Sequence, residues 1–119
     1  MSKALVVDDE IDICTLLSDQ LRKLGFNVVY CLSIKEANDK LSSNAYDLVF
    51  VDLNLPDGSG YDLINALRAF DKVVKIVVIS AYEADNQKIA DVGASLYVPK
   101  PFTGKSIRAA LKQLNLPEN

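Results

Sequence analysis

The stretch LVFVD, residues 48–52, decides the fold, because four apolar residues run without a polar interruption into an aspartate. Four similar apolar runs occur at nearly even spacing, at residues 4–7, 26–30, 75–79 and 96–98. Short runs of this kind, without apolar/polar alternation, are typical of strands in a parallel sheet covered on both faces. The sequence therefore predicts five buried parallel strands.

Segments of helical periodicity separate and follow these runs. Helices are predicted over about residues 10–24, 33–41, 59–70, 83–92 and 103–114. Strict alternation of strands and helices predicts an open, doubly wound α/β sheet with the flavodoxin-like strand order 2-1-3-4-5. With 119 residues and no evident linker, we expect residues 1–119 to form a single domain.

Individual residues refine these helices. In the first helix, apolar residues spaced three or four apart are expected to form one buried face: Ile11, Cys14, Leu17, Leu21 and Leu24. Ser33 and Glu36 have the spacing of a capping box, and Phe70 is expected on the apolar face of the third helix. Gly104, a poor helix former, predicts a late or frayed start of the last helix.

Composition excludes several classes of function. The charge balance of 13 basic and 16 acidic residues argues against nucleic-acid binding through a basic face. The absence of histidine excludes histidine-ligated zinc and histidine-activated nucleophiles. Cys14 and Cys31 are expected to be reduced core thiols. No apolar run approaches the roughly 20 residues of a membrane span, so we expect a cytoplasmic protein without membrane contact.

Polar side chains follow four of the five predicted strands. Asp8-Asp9-Glu10, Asp52, Ser80 and Lys100 all stand where ligands bind in such sheets, outside the carboxyl ends of the strands. In the predicted order, strands one and three are neighbours, so Asp8, Asp9 and Asp52 come together. Clustered carboxylates need raised pKa values or a cation, and oxygen ligands alone favour Mg²⁺, with Mn²⁺ as the second candidate.

Such a cluster can support phosphoryl transfer. A carboxylate beside the metal can act as a nucleophile and form an aspartyl phosphate, while Lys100 offers positive charge and Ser80 a hydroxyl donor. The same residues can also be explained by structure alone. Asp8-Asp9-Glu10 would then be an acidic helix N-cap and Asp52 a turn residue. Ser80 would be a turn or cap residue, and Tyr97 an ordinary aromatic residue of a strand.

Four segments of the chain, taken together, resemble the receiver domain of bacterial response regulators. They are VVDDE at residues 6–10, VFVDLNLPDGSG at 49–60, ISA at 79–81 and YVPKPF at 97–102. Each follows or ends its own predicted strand, and the resemblance covers essentially the whole chain. It implies a receiver, CheY-like fold and a phosphorylation-activated signalling switch.

The resemblance also implies roles for single residues. Asp52 would accept the phosphoryl group, and Asp8, Asp9 and Asp52, with the backbone carbonyl of Asn54, would hold Mg²⁺. Lys100 would contact the phosphoryl group, and the Lys100–Pro101 peptide bond would be cis. Ser80 and Tyr97 would form a switch that relays phosphorylation to the surface formed by the fourth helix, the fifth strand and the fifth helix.

The resemblance implies partners as well. A histidine kinase or a histidine phosphotransfer protein would donate the phosphoryl group, docking beside the first helix. The target would be a downstream effector protein, or an output domain if the chain is a receiver excised from a longer regulator. The chain would catalyse its own phosphorylation and slow autodephosphorylation without being a turnover enzyme.

Three other functions share parts of this pattern. A receiver-like interaction module that is not phosphorylated typically lacks an acid, the lysine or the phosphoacceptor, and none is missing here. A small Mg²⁺-dependent phosphohydrolase of the haloacid dehalogenase type would carry its aspartate nucleophile after the first strand. A flavodoxin-like electron carrier would have a hydroxyl- and glycine-rich loop where this chain has Asp8-Asp9-Glu10.

Overall fold

The chain folds around one parallel sheet in a computed structural model that describes residues 2–81 and 84–116. Seven strands, numbered in chain order, are β1 (Lys3–Val7), β2 (Asn27–Cys31), β3 (Leu48–Asp52), β4 (Asn54–Leu55), β5 (Gly58–Ser59), β6 (Lys75–Ser80) and β7 (Leu96–Pro99). The five longer strands pair in parallel in the order β2-β1-β3-β6-β7. The predicted five-stranded sheet and its order, 2-1-3-4-5 counted over these five strands, are confirmed.

Among the described residues, five helices connect or follow the strands of the main sheet. They are α1 (Ile11–Lys23), α2 (Ile34–Ser43), α3 (Gly60–Phe70), α4 (Asn86–Asp91) and α5 (Gly104–Gln113). The predicted first residue of the fourth helix, Glu83, lies outside the described residues. The helix that the structure describes begins at Asn86, because the side chain of Asp85 accepts hydrogen bonds from the first-turn amides of Gln87 and Lys88.

The sheet is covered on both faces, as a doubly wound fold requires. Alternate strand residues such as Val6 and Phe50 pack with α1 and α5 on one face. Their neighbours, such as Val7 and Val51, pack with α2, α3 and α4 on the other. All five residues of β3 are buried, which fits its place at the centre of the sheet and places Asp52 at its buried end.

Two apolar residues predicted for the buried faces of helices are exposed. Ile11 is 54% exposed and Phe70 is 67% exposed. Ile11 begins α1 and Phe70 ends α3, so each stands at a helix end, where the sheet gives less cover. Helical periodicity identifies the buried side of a helix but does not show how far along its axis the sheet extends.

Side-chain caps differ from the predictions in two places. Helix α5 begins at Gly104 without delay, because the hydroxyl groups of Thr103 and Ser106 each accept a hydrogen bond from the other residue's amide. At α2, Ser33 accepts from the Glu36 amide, but the Glu36 carboxylate accepts from Leu32 rather than from the amide of Ser33. The predicted reciprocal box at Ser33 is therefore only half formed.

Residues 54–59, whose proline and glycine are typical of a turn, form a small antiparallel hairpin. Asn54 pairs with Ser59 and Leu55 with Gly58. Two-residue strands are too short to give a periodic signal in the sequence, which is why they were not predicted. This hairpin, β4–β5, begins two residues after Asp52.

Over the described residues, the chain contains no helix with the length and apolar character of a membrane span.

Candidate functional site

The functional side chains meet at the carboxyl edge of the sheet because the strands run in parallel. Val7 pairs with Val51, so Asp8, the next residue after β1, lies near Asp52 at the end of β3. Ser80 at the end of β6 pairs with Pro99, and Lys100 follows directly. The predicted convergence of residues from these strands at one edge is therefore present in the structure.

Four carboxylates form a tight cluster at this edge. Oxygen atoms from Asp8, Asp9, Glu10 and Asp52 all lie within 4.8 Å of one another. Asp8 and Asp52 are buried, with exposures of 0% and 4%, whereas Asp9 and Glu10 are exposed. The sequence predicted the cluster of Asp8, Asp9 and Asp52 and missed the contribution of Glu10, although its position directly after Asp9 was a usable signal.

Lys100 is the counter-ion of this cluster. Its ammonium nitrogen lies 2.7 Å from Asp8 Oδ2, 3.1 Å from Glu10 Oε1 and 3.4 Å from Asp52 Oδ2. The lysine side chain is only 7% exposed. Lys100 thus contacts acids from two strand ends and places a positive charge beside Asp52.

Burial is the main influence on the acid–base behaviour of the two inner acids. It raises the pKa of Asp8 and of Asp52, because the charged form loses solvation, and the bonds to Lys100 offset only part of this effect. Burial alone would lower the pKa of Lys100. The hydrogen bonds to Asp8 and Glu10 and the charges of Asp8 and Asp52 nevertheless raise it above its ordinary value.

Backbone groups fix the orientation of both buried acids. The amide of Glu10 donates to Asp8 Oδ1 at 2.8 Å, and the amide of Asn54 donates to Asp52 Oδ1 at 3.2 Å. The Lys100 amide donates to the Ser80 carbonyl at 2.8 Å, which ties β7 to β6 beside the site. The Lys100–Pro101 peptide bond is cis, as the resemblance predicted.

A cavity of about 220 Å³ opens over the acids, lined by Asp9, Glu10, Asp52, Asn54, Ala81 and Lys100. The predicted switch residue Ser80 is buried and lines a neighbouring cavity of about 500 Å³, which shares Asn54 with the first. Tyr97 is half-buried on β7. The structure therefore brings Asp52, Lys100, Asp9 and Asn54 around one cavity, and places Ser80 beside it.

The donor set fits a hard divalent cation. Asp8, Asp9, Glu10 and Asp52 offer carboxylate oxygens only, without the sulfur or imidazole ligands that soft or borderline metals prefer. The buried charge of Asp8 and Asp52 is expensive without further positive charge, since one lysine faces three of the acids. Mg²⁺ fits these residues, and Asn54, with its backbone carbonyl, follows Asp52 by two positions.

Comparisons with known proteins point to one family. The family model for the response regulator receiver domain matches residues 4–112. The swarming motility regulation protein RssB of Serratia marcescens is 32% identical, with 93% of this chain and 52% of that protein covered. The transcriptional regulatory protein PrrA of Mycobacterium bovis is 34% identical, with 94% and 49% covered. The chain thus spans about half the length of these curated relatives.

Solved structures agree. The chemotaxis protein CheY4 of Vibrio cholerae superimposes with a TM-score of 0.88 at 27% identity, over 95% of this chain and 98% of that one. The response regulator TrrA of Thermotoga maritima, in complex with Mg²⁺ and BeF, gives 0.86 at 32% identity, over 96% and 99%. Since the family match covers most of the chain and the sheet order is the same, this protein belongs to the response regulator receiver domain family.

Proposed function

We propose that the chain is a phosphorylation switch in which Asp52 accepts a phosphoryl group from a histidine kinase or a histidine phosphotransfer protein. The observation that carries the proposal is the position of Asp52. Its carboxylate is buried at the end of the central strand, within 4.8 Å of oxygen atoms of Asp8, Asp9 and Glu10, and 3.4 Å from Lys100. Receiver domains are signalling domains, so no turnover of a small substrate is expected.

The chemistry follows from these residues. A carboxylate oxygen of Asp52 attacks phosphorus, and an O–P bond forms as the P–N bond of the donor phosphohistidine breaks. The electron pair goes to the leaving imidazole nitrogen, which takes up a proton from solvent. Lys100 stays beside Asp52 and faces the phosphoryl oxygens, so their charge is compensated during transfer.

The metal site is assigned to Asp8, Asp9, Asp52 and the backbone carbonyl of Asn54. Mg²⁺, or Mn²⁺ in its place, would supply further positive charge there for the phosphoryl oxygens. The carboxylates of Asp8 and Asp52 are held in place by hydrogen bonds that the backbone amides of Glu10 and Asn54 donate to them. Asp9 is exposed and lines the cavity, so it is accessible to a hydrated cation.

A two-state relay is proposed for Ser80 and Tyr97. The phosphoryl group carries about 1.5 to 2 negative charges at neutral pH, which would draw the Ser80 hydroxyl and Lys100 toward it. Ser80 lines the cavity next to Asp52, and Tyr97 lies one strand away on β7. The response would reach α4, β7 and α5, where an effector protein or an output domain would bind.

Intact mass spectrometry after incubation with acetyl phosphate tests the phosphoacceptor. We expect a single phosphoryl adduct with Mg²⁺, none with EDTA, and none in Asp52→Asn. Asp62→Asn, which changes an exposed acid in the first turn of α3, is the matched control and should be phosphorylated like the wild type. An adduct that persists in Asp52→Asn would overturn the assignment.

Two negative outcomes separate the alternatives. If no phosphoryl adduct forms but calorimetry shows Mg²⁺ binding, the chain would be a receiver that requires a protein donor. If neither an adduct nor Mg²⁺ binding is found, an interaction module that is not phosphorylated explains the chain better.

The relay is tested by NMR. The ¹⁵N spectra recorded with Mg²⁺ and beryllium fluoride should change over α4, β7 and α5, and should change less in Ser80→Ala.

A further inference from the structure

The β4–β5 hairpin is fastened to a neighbouring helix by one side chain. Asp57, in the turn of the hairpin, accepts hydrogen bonds from the amides of Ile34 at 2.9 Å and Lys35 at 3.0 Å. These are the first two amides of α2, which have no partner within the helix. Ser33 already caps the amide of Glu36. Asp57 therefore completes the cap of α2 from 22 to 23 residues away in sequence.

The contact between the hairpin and α2 is close as well as polar. A Cβ atom on Gly58 would lie 2.8 Å from Ile34 Cδ1, so the turn packs directly against the side chain of the first residue of α2. On its other side the hairpin is fixed to the site, since the amide of Asn54 donates to Asp52 Oδ1. The segment thus links α2 to the acid cluster.

We infer that Asp57 is a positioning residue for the metal site: by holding the hairpin on α2, it places the backbone carbonyl of Asn54 for the cation. The inference rests on the proposed function, because that function assigns the Asn54 carbonyl as a ligand. Asn54 starts β4 and Asp57 follows its end, so movement at the turn is transmitted to the carbonyl through only two intervening residues. A ligand that must be ordered on binding gives weaker binding than one already in place.

A structural cap alone would predict a different result. In that case, loss of Asp57 would lower the stability of the fold and leave the Mg²⁺ affinity of the folded protein unchanged. The chain offers a matched control in Asp71, which accepts from the amides of Val73 at 2.9 Å and Val74 at 3.0 Å. Asp71 follows α3 at the opposite edge of the sheet from the acids.

The experiment titrates Mg²⁺ into the whole chain by calorimetry, after EDTA treatment, in wild type, Asp57→Ala, Asp57→Asn and Asp71→Ala. We expect Asp57→Ala to raise the dissociation constant on the order of tenfold. Asp57→Asn keeps one acceptor oxygen and should fall between wild type and Asp57→Ala. The dissociation constant of Asp71→Ala should stay within about twofold of wild type, although this variant also loses two hydrogen bonds between a carboxylate and backbone amides.

Loss of a negative charge can itself weaken cation binding, so the titrations are repeated at 1 M salt, where the Debye length is about 3 Å. A difference in Mg²⁺ affinity that remains at 1 M salt reflects the position of the ligands rather than the lost charge. Equal affinities of Asp57→Ala and wild type, or equal losses in Asp57→Ala and Asp71→Ala, would overturn the inference. If the wild type itself binds no Mg²⁺, the proposed metal site fails, and the inference fails with it. If Asp57→Ala does not fold, the comparison rests on Asp57→Asn.

Discussion

The ammonium nitrogen of Lys100 lies 2.7 Å from a carboxylate oxygen of Asp8, and both side chains are almost completely removed from solvent. The resemblance led us to expect Lys100 beside the phosphoryl group at Asp52, but its shortest contact is with Asp8. The reason is electrostatic, since Asp8 is the more deeply buried of the two acids and most needs a counter-ion. Lys100 therefore acts as the counter-ion of a buried acid in the unphosphorylated protein, in addition to its proposed role in phosphoryl transfer.

Replacing Lys100 should destabilise the fold. In Lys100→Met the apolar stem is kept, but Asp8 and Asp52 lose their cation and repel each other, at a cost of about 3 kcal/mol at neutral pH. Urea unfolding in EDTA measures the loss. Lys112→Met, at an exposed position of α5, is the control and should change stability little. A stability of Lys100→Met equal to that of the wild type would show that the acids do not depend on this lysine.

Replacing Asp52 should have the opposite effect. Burial raises the pKa of Asp52 in the folded protein above its ordinary value of 3.8. The carboxyl group therefore favours the folded state most below about pH 4, and this contribution is lost as the pH rises through the folded pKa. In EDTA, Asp52→Asn should thus be more stable than wild type at pH 7, on the order of 1 kcal/mol.

The pH dependence of that difference provides the check. Unfolding midpoints of wild type and Asp52→Asn should converge as the pH falls toward about 4, because the wild-type carboxyl group then becomes neutral in both states. Asp19→Asn, at an exposed position of α1, should follow the wild type across this range. An advantage of Asp52→Asn that grows toward acid pH would contradict the raised pKa.

The sequence predicted the sheet well because buried parallel strands leave a strong local signal. The apolar run that ends in Asp52 marks the central strand, and the strand order then brings the acids and Lys100 together. Distances within the cluster were not predictable. The contact of Glu10 with Lys100 depends on side-chain reach between residues 90 positions apart.

The difference between local signals and tertiary contacts also applies to the cap that Asp57 forms on α2. The local sequence around Asp57 is rich in proline and glycine and is typical of a turn. Its function as a cap of α2 depends on how the hairpin packs on a helix 22 residues earlier in the chain. Local sequence patterns do not reveal such a contact, which depends on the packing of the β4–β5 hairpin on α2.

The two cysteines should be unreactive in the folded protein. Burial raises the pKa of Cys14 and of Cys31 to about 12, so almost no thiolate exists at neutral pH, and both side chains are buried. Ellman's reagent should label neither thiol under native conditions and both after unfolding in urea. Labelling of one thiol at a rate independent of urea would show an accessible cysteine and contradict this prediction.

Replacing Gly60 should destabilise the fold, because the structure leaves no room for a side chain at this position. Its backbone does not have a positive φ angle, but a Cβ atom there would overlap the Asp52 carbonyl oxygen and lie 2.9 Å from Leu53 Cα. These are backbone atoms that cannot rotate away, so in Gly60→Ala the end of β3 or the start of α3 must shift. We expect a loss of about 2 kcal/mol in the free energy of unfolding. We also expect weaker Mg²⁺ binding, because the shift displaces Asp52.

Gly104→Ala is the matched control for Gly60→Ala. A Cβ atom at Gly104 would lie 2.6 Å from Gln20 Oε1, but this is the end of a flexible side chain that can turn aside. Alanine also favours the helical backbone of α5, so stability should stay within about 1 kcal/mol of wild type. Equal losses in the two variants would show that loss of glycine itself, rather than contact with the Asp52 backbone, sets the cost. A Gly60→Ala protein with unchanged stability and Mg²⁺ affinity would mean that the end of β3 yields without disturbing the acid cluster.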